Sequence, residues 1–240
     1  MTTMTRRSSR LLRPIACDPM DTSYVIDPAR SRVSFDAAIE AVPVISIVRL
    51  ANAGAAIDIA ASVHAGGIRL IEVTLTTSGA LDTIGAMRAA GLAGLCVGVG
   101  SVRTPEQATR SIEAGAEYLV TPTTNPAVID TALGAGVPIV SGGLTPTELD
   151  AAHRAGADYV KLFPVSAVSP RYLREVLAPM PDLRVIPTGG VTVDNIPELR
   201  AAGAVGVGVG SALVEPRLVA AGDWAELKRR AAACVAAWRG

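Results

Sequence analysis

Only two of the chain's cations are lysines, Lys161 and Lys228; every other one is arginine. Lys228 lies in "ELKRR", which reads as a solvated helix face. Lys161 stands in "DYVKLFP", Asp158 to Pro164, inside an otherwise apolar β-type run. Side chains alternate along a strand, so Tyr159, Lys161 and Phe163 share one face while Val160 and Leu162 share the other. A second charge is set in the same way. In "IRLIEVTL", Leu70, Glu72 and Thr74 share one face, and Ile71, Val73 and Leu75 the other. Apolar surroundings disfavour an ammonium, so the free amine becomes available. A neutral amine attacks a ketone and gives an iminium, an electron sink for breaking or making a C–C bond. Such a reaction also needs an acid–base group, and a carboxyl partly removed from water suits it. The plainer alternative is a buried lysine–glutamate pair without chemistry, which would add little net stability.

The elements that position these groups are legible as a repeated phrase, a helix ending in Ala-Gly followed by a short β-branched run. Its instances are "HAGGIRLIEVTL", "AAGLAGLCVGVG", "EAGAEYLVTP", "GAGVPIVSGG", "RAGADYVKLFP" and "AAGAVGVGVGS". Glycine is favoured just past a helix end because it tolerates the left-handed conformation there. With "VPVISIV" in front and "LRVIPTGG" near the end, the strands number about eight. Good start signals, a cap residue before a proline, mark helices at Thr104-Pro105, Asn125-Pro126 and Thr145-Pro146. Apolar strands alternating with helices indicate parallel β-structure covered on both faces. The expected fold is α/β, a closed (β/α)₈ TIM barrel, with an open doubly wound sheet as the alternative. In the barrel, Lys161 and Glu72 point inward from two even-numbered strands, and one inward layer draws on alternate strands.

Barrels of this kind often bind phosphate at the loops after strands seven and eight. Here strand seven ends in "PTGGV", with Thr188, Gly189 and Gly190, and strand eight in "GVGSA", with Gly210 and Ser211. Glycines let backbone N–H groups approach phosphate oxygens, and the hydroxyls add hydrogen bonds. Each stretch alone could be a mere tight turn; at these two strand ends together they favour a phosphorylated substrate. No Gly-x-Gly-x-x-Gly opens the first helix, and "GVGVGS" alternates its glycines with valines as close packing does. No cofactor is expected.

The composition bounds the partners. The chain has 240 residues, half of them hydrophobic and only 3% aromatic, with a formal net charge of zero. Nucleic acid is therefore not an expected partner. Cys17, Cys96 and Cys234 have neither pairing nor metal-ligand spacing, which fits a reduced cytoplasm. His64 and His153 fall on helices just before Ala-Gly turns, away from the strand ends, and a histidine metal site is not expected. The N-terminal "MTTMTRRSSRLLRPIACDPM" carries an arginine pair, but its apolar part is short and broken by Arg13 and Pro14, so it is no export signal. No run approaches the ~20 apolar residues needed to span a bilayer. Residues 1–36 are expected to form a poorly ordered extension, with Met20 as another candidate start, and 37–240 a single barrel domain.

From about Ala41 onward the chain resembles the 2-keto-3-deoxy-6-phosphogluconate aldolase family, with its phosphogalactonate and 4-hydroxy-2-oxoglutarate relatives. The motifs that carry the resemblance are "EVTL", "GVGSV", "VTP", "KLFP", "PTGGV" and "GVGS", in that order. The resemblance implies a class I aldolase, commonly a homotrimer. It would cleave a 2-keto-3-deoxy sugar acid phosphate to pyruvate and glyceraldehyde 3-phosphate. By motif, Lys161 would form the Schiff base and Glu72 would be the general acid–base. Thr74, Pro122 and Phe163 would lie at the pyruvate pocket, with Ser101 keeping a hydroxyl near it. Thr188, Gly189, Gly190, Gly210 and Ser211 would surround the phosphate. The arginine that follows "EVTL" in the gluconate enzymes is replaced by Thr76; Arg49, in "SIVRL", resembles the galactonate-type arginine and would take over anion binding. "SPRYL" leans toward the galactonate type and "IPTGG" toward the gluconate type, while Thr123 and Ser141 also depart from the pattern. The rival readings are a phosphate-binding isomerase or epimerase, a non-catalytic barrel and a metal-dependent aldolase.

Overall fold

The computed structural model describes residues 28–240. Eight parallel strands form one sheet in the order β7-β6-β5-β4-β3-β2-β1-β8. They are β1 (Val44–Val48), β2 (Leu70–Thr74), β3 (Cys96–Gly100), β4 (Tyr118–Val120), β5 (Ile139–Gly143), β6 (Tyr159–Leu162), β7 (Val185–Pro187) and β8 (Val207–Val209). A parallel bridge between Thr188 and Gly208 draws the last two strands together and closes the barrel. The expected (β/α)₈ fold is the one found.

Helices α2 (Ala56–Ala65), α3 (Ala80–Ala89), α4 (Pro105–Glu113), α5 (Pro126–Gly134), α6 (Pro146–Arg154), α7 (Pro170–Leu177) and α8 (Ile196–Ala201) each follow one strand, and β8 is followed by two, α9 (Pro216–Ala221) and α10 (Trp224–Arg239). The three cap signals act as the sequence indicates. Thr104 accepts from Gln107 N, Asn125 from Ala127 N, and Thr145 forms a full capping box with Glu148. The Ala-Gly signals also hold: Gly115 and Gly156 follow α4 and α6 with φ of 98° and 93°, a backbone that favours glycine.

Strand alternation divides the core in two. Val44, Val48, Ile71, Val73, Val97, Val99, Val160 and Leu162 pack outward beneath the helices. Ile45, Ile47, Leu70, Cys96, Tyr118, Val120, Val140, Tyr159 and Ile186 fill the barrel interior. That interior cluster has a contributor from outside the sheet. Helix α1 (Pro28–Ala41) inserts Phe35, Ala38 and Ile39 into it, and Phe35 is fully buried. The Phe35 ring lies 4.9 Å from the ring of Tyr118 and 5.6 Å, edge-on, from that of Tyr159. Arg32 pairs with Asp158, at the start of β6, and so fastens the helix to the barrel.

The expected division between residues 36 and 37 falls inside α1, which gives the N-terminal end of the barrel an apolar cover. Residues 1–27, with the arginine pair, Cys17 and Met20, lie outside the described residues. Among the described residues no helix is long and apolar enough to cross a membrane.

Candidate active site

Lys161 and Glu72 both turn into the barrel, 3% and 1% exposed. Burial is the main influence on each, in opposite directions. It holds the Lys161 ammonium below the usual lysine range, with Glu72 opposing that shift and Arg49 adding to it. Burial also raises the Glu72 carboxyl, against the pull of Lys161 and Arg49. The two groups therefore sense each other's charge. Glu72 Oε1 is buried without a hydrogen-bond partner. Lys161 Nζ lies 5.0 Å from the centre of the Phe163 ring.

A glycine stands on an adjoining strand next to each of these residues. A Cβ at Gly100 on β3 would fall 2.5 Å from Glu72 Oε1. Gly142 on β5 pairs with Lys161, and a Cβ there would strike the Pro122 carbonyl carbon at 2.5 Å. The sequence reading missed both glycines, because their role depends on which residue stands beside them across the sheet.

Beside the Lys161–Phe163 edge is a cavity of about 250 Å³. Arg49, Phe163, Thr188, Gly189, Gly190, Gly210 and Ser211 all line it, together with Ile47, Thr192 and Val214 among others. Gly189 and Gly190 have φ of 82° and 92°, and the Phe163 ring would meet a Cβ at Gly189 at 2.9 Å. Thr188, 4% exposed as a residue, packs its hydroxyl into the space left by Gly208. The Arg49 guanidinium is exposed and makes none of the ion pairs found among the described residues. A cavity with a free cation, three hydroxyls and three glycines suits an anion. Larger clefts of about 590 and 660 Å³ include Arg69 at the N-terminal end of the barrel, away from Lys161 and Glu72.

Neither Lys161 nor Glu72 lines that cavity, and of the expected substrate-binding residues Thr74, Ser101 and Pro122 do not either. Thr74 is fully buried at the end of β2, where its hydroxyl joins those of Thr76 (2.9 Å) and Thr77 (3.2 Å) and reaches Val48 O. Ser101, just beyond β3, adopts φ 61°, which is uncommon for a residue with a side chain. Pro122 sits just past β4 with its carbonyl against Gly142. Of the residues that depart from the expected pattern, Ser141 is buried and takes a hydrogen bond from Thr121, whose hydroxyl also reaches Thr123 O. The histidines lie elsewhere: His64 contacts Ala93 O and His153 pairs with Asp182.

A (β/α)₈ barrel that buries a lysine and a glutamate at its C-terminal mouth has the fold of the class I aldolases. Comparison with known proteins narrows this. The family model described as "KDPG and KHG aldolase" matches residues 35–230. The chain is 37% identical over 191 residues to a 2-dehydro-3-deoxy-phosphogluconate aldolase of Treponema pallidum, covering 79% of this chain and 90% of that one. It is 35% identical over 179 residues to the 2-dehydro-3-deoxy-6-phosphogalactonate aldolase of Escherichia coli, covering 71% and 84%. Among solved structures, one described as native KDPGal superposes with a TM-score of 0.77 at 32% identity, covering 82% of this chain and 94% of its own. The chain belongs to the KDPG and KHG aldolase family, whose named members are lyases.

Proposed function

We propose that the protein cleaves a 2-keto-3-deoxy-6-phospho sugar acid to pyruvate and glyceraldehyde 3-phosphate, with Lys161 as the Schiff-base amine and Glu72 as the general acid–base. The observation that carries this reading is the buried Lys161–Glu72 pair, in which burial favours the uncharged form of both groups. A free amine is the nucleophile the reaction needs, and a carboxyl with a raised pKa can both take and return a proton near neutrality.

The steps balance as follows. The Lys161 nitrogen bonds to the substrate C2; the ketone oxygen takes one proton from that nitrogen and one from the Glu72 carboxyl and departs as water, leaving an iminium and a Glu72 carboxylate. Glu72 takes the proton of the C4 hydroxyl while the C3–C4 electron pair moves into the iminium, so that an aldehyde leaves and an enamine remains. The enamine takes a proton at C3 from the same carboxyl, and water then hydrolyses the iminium to pyruvate and the free amine. Phe163 forms a wall of the keto-acid pocket, beside which Thr74, Ser101 and Pro122 stand. Arg49 and the Thr188, Gly189, Gly190, Gly210 and Ser211 group take the anionic end. Similarity to both gluconate- and galactonate-type relatives supports the reaction equally for either C4 epimer. The family resemblance also supports a homotrimer in the cytoplasm, for which sedimentation equilibrium is the test of assembly.

Pyruvate with borohydride should add irreversible mass at Lys161; an active enzyme without that adduct would instead be a barrel isomerase or epimerase. Lactate dehydrogenase coupling should detect pyruvate from the phosphogluconate or phosphogalactonate substrate, with 4-hydroxy-2-oxoglutarate as the unphosphorylated comparison. Pyruvate from none of the three would overturn the assignment.

A further inference from the structure

Among the described residues, two polar atoms buried inside the barrel have no hydrogen-bond partner: Glu72 Oε1 and the phenol oxygen of Tyr118. They belong to neighbouring positions across the sheet. Glu72 on β2 pairs with Gly98 on β3, and Gly98 pairs in turn with Tyr118 on β4. No side chain stands at the position between them. A Cβ at Gly98 would fall 2.5 Å from both Cε1 and Cζ of Tyr118, so the hydroxyl-bearing end of the ring lies across Gly98, toward β2. The Glu72 carboxyl leans over the same strand two residues on, where a Cβ at Gly100 would be 2.5 Å from Oε1. Phe35 braces the Tyr118 ring from α1. One group is a donor without an acceptor and the other an acceptor without a donor, in a site where either alone is costly.

We propose that Tyr118 is a positioning residue for Glu72: its hydroxyl donates a hydrogen bond to the Glu72 carboxyl, directly or across one water, and keeps that carboxyl aimed at the reacting atoms. The contact is inferred from where the two unpartnered groups lie across Gly98; its catalytic consequence rests on the aldolase reading given above. Burial, then the charge of Glu72, then Cys96 and Glu117, push the Tyr118 phenol well above its usual range, so it keeps its proton to give in a hydrogen bond. The other ionisable groups that influence the pair are Lys161 on β6 and Arg49 beyond β1 toward Glu72, and Cys96 and Glu117 toward Tyr118. All of them are unchanged in the variant that tests the idea.

Tyr118→Phe keeps the ring that packs on Phe35 and Gly98 and deletes only the hydroxyl. Infrared difference titration, with Glu72→Gln to identify the carboxyl band, should show the Glu72 pKa rising by about one unit in Tyr118→Phe, because a donor to the charged form is lost. The kcat should fall about tenfold with KM within twofold, and the Glu72-dependent limb of the pH profile should move upward with it. Tyr118→Leu, which also loses the ring, should lower the unfolding temperature; Tyr118→Phe should restore the unfolding temperature without restoring kcat. An unmoved Glu72 titration in Tyr118→Phe refutes the hydrogen bond, and an unmoved kcat refutes the positioning role. If pyruvate fails to trap at Lys161 in the unaltered protein, it is the aldolase reading that falls, and the infrared titration still decides the contact.

Discussion

Gly100→Ala tests whether the placement of the Glu72 carboxyl, rather than its mere presence, sets the rate. The added methyl carbon would stand 2.5 Å from Oε1, 2.8 Å from Cδ and 3.3 Å from Oε2 of Glu72. Ordinary contact requires the near oxygen to retreat by about 1 Å. That oxygen sits at the far end of a flexible side chain, so it can give way. The stability cost should then lie at the low end for an added core methyl, about 1 kcal/mol, or no more than about 4 °C in unfolding temperature. Catalysis has no such tolerance, since a 1 Å misplacement of a reacting group costs roughly 10²-fold. The expected result is a hundredfold loss of kcat in the pyruvate-release assay, with borohydride trapping at Lys161 still going to completion. A kcat within threefold of the unaltered enzyme would refute the reasoning. So would a fall of more than about 10 °C, which would mean that the carboxyl is wedged rather than free to move.

Gly142→Ala should behave in the opposite way, because its Cβ would meet the backbone of Pro122 and Thr121 at 2.5 to 2.7 Å and neither can yield. A loss of roughly 1–3 kcal/mol should appear in denaturant unfolding before any specific loss of activity. Phe35→Ala removes a fully buried ring and should cost about 3–5 kcal/mol, a fall of roughly 6–20 °C in calorimetry. No change there would show that α1 is not part of the folded unit. Arg49→Met should raise KM for the phosphorylated substrate about tenfold with kcat nearly unchanged, and an unaltered KM would remove Arg49 from the anion site. The pH dependence of trapping should reveal the neighbours of Lys161: trapping rises as the ammonium loses its proton, so its midpoint should lie below that of a free lysine. Glu72 opposes the depression and Arg49 adds to it, so Glu72→Gln should lower the midpoint and Arg49→Met should raise it. Midpoints that move the other way would contradict the electrostatics described.

Lys161 and Glu72 were legible in the sequence because strand alternation is a local property: each residue's face follows from its immediate neighbours. The helix caps at Thr104, Asn125 and Thr145 were legible for the same reason. Helix α1 was not. "PARSRVSFDAAIEA" carries charges among its apolar residues and only a weak stripe, and its helix is held by the open end of a barrel closed by strands far along the chain. The glycines of β3 and β5 were not legible either. "CVGVG" shows that something small is required, but what Gly98 and Gly100 accommodate, Tyr118 and Glu72, is fixed by pairing register, which the strand's own residues do not reveal. Tyr118 escaped notice as an inward core aromatic, and only its unpartnered hydroxyl sets it apart.

The barrel interior thus has two regimes, and the Lys161–Glu72 pair sits where they meet. Below, Phe35, Tyr118, Tyr159, Leu70, Ile45 and Ile186 fill the space as any core does. Above, a glycine stands beside each group of the candidate site: Gly100 by Glu72, Gly142 by Lys161, Gly208 by Thr188 and Gly189 by Phe163. A barrel of this size is otherwise closed by its own side chains, so room for a substrate has to come from residues that lack them. The dense floor has an electrostatic effect as well. It keeps water from Lys161 and Glu72 on the side the substrate does not occupy, and burial is the leading cause of both pKa shifts. Admitting water from below would favour the ammonium and the carboxylate, the forms least suited to attack a ketone and to return a proton. Packing under the site and chemistry within it are therefore one requirement, met in part by a helix that precedes the first strand of the barrel.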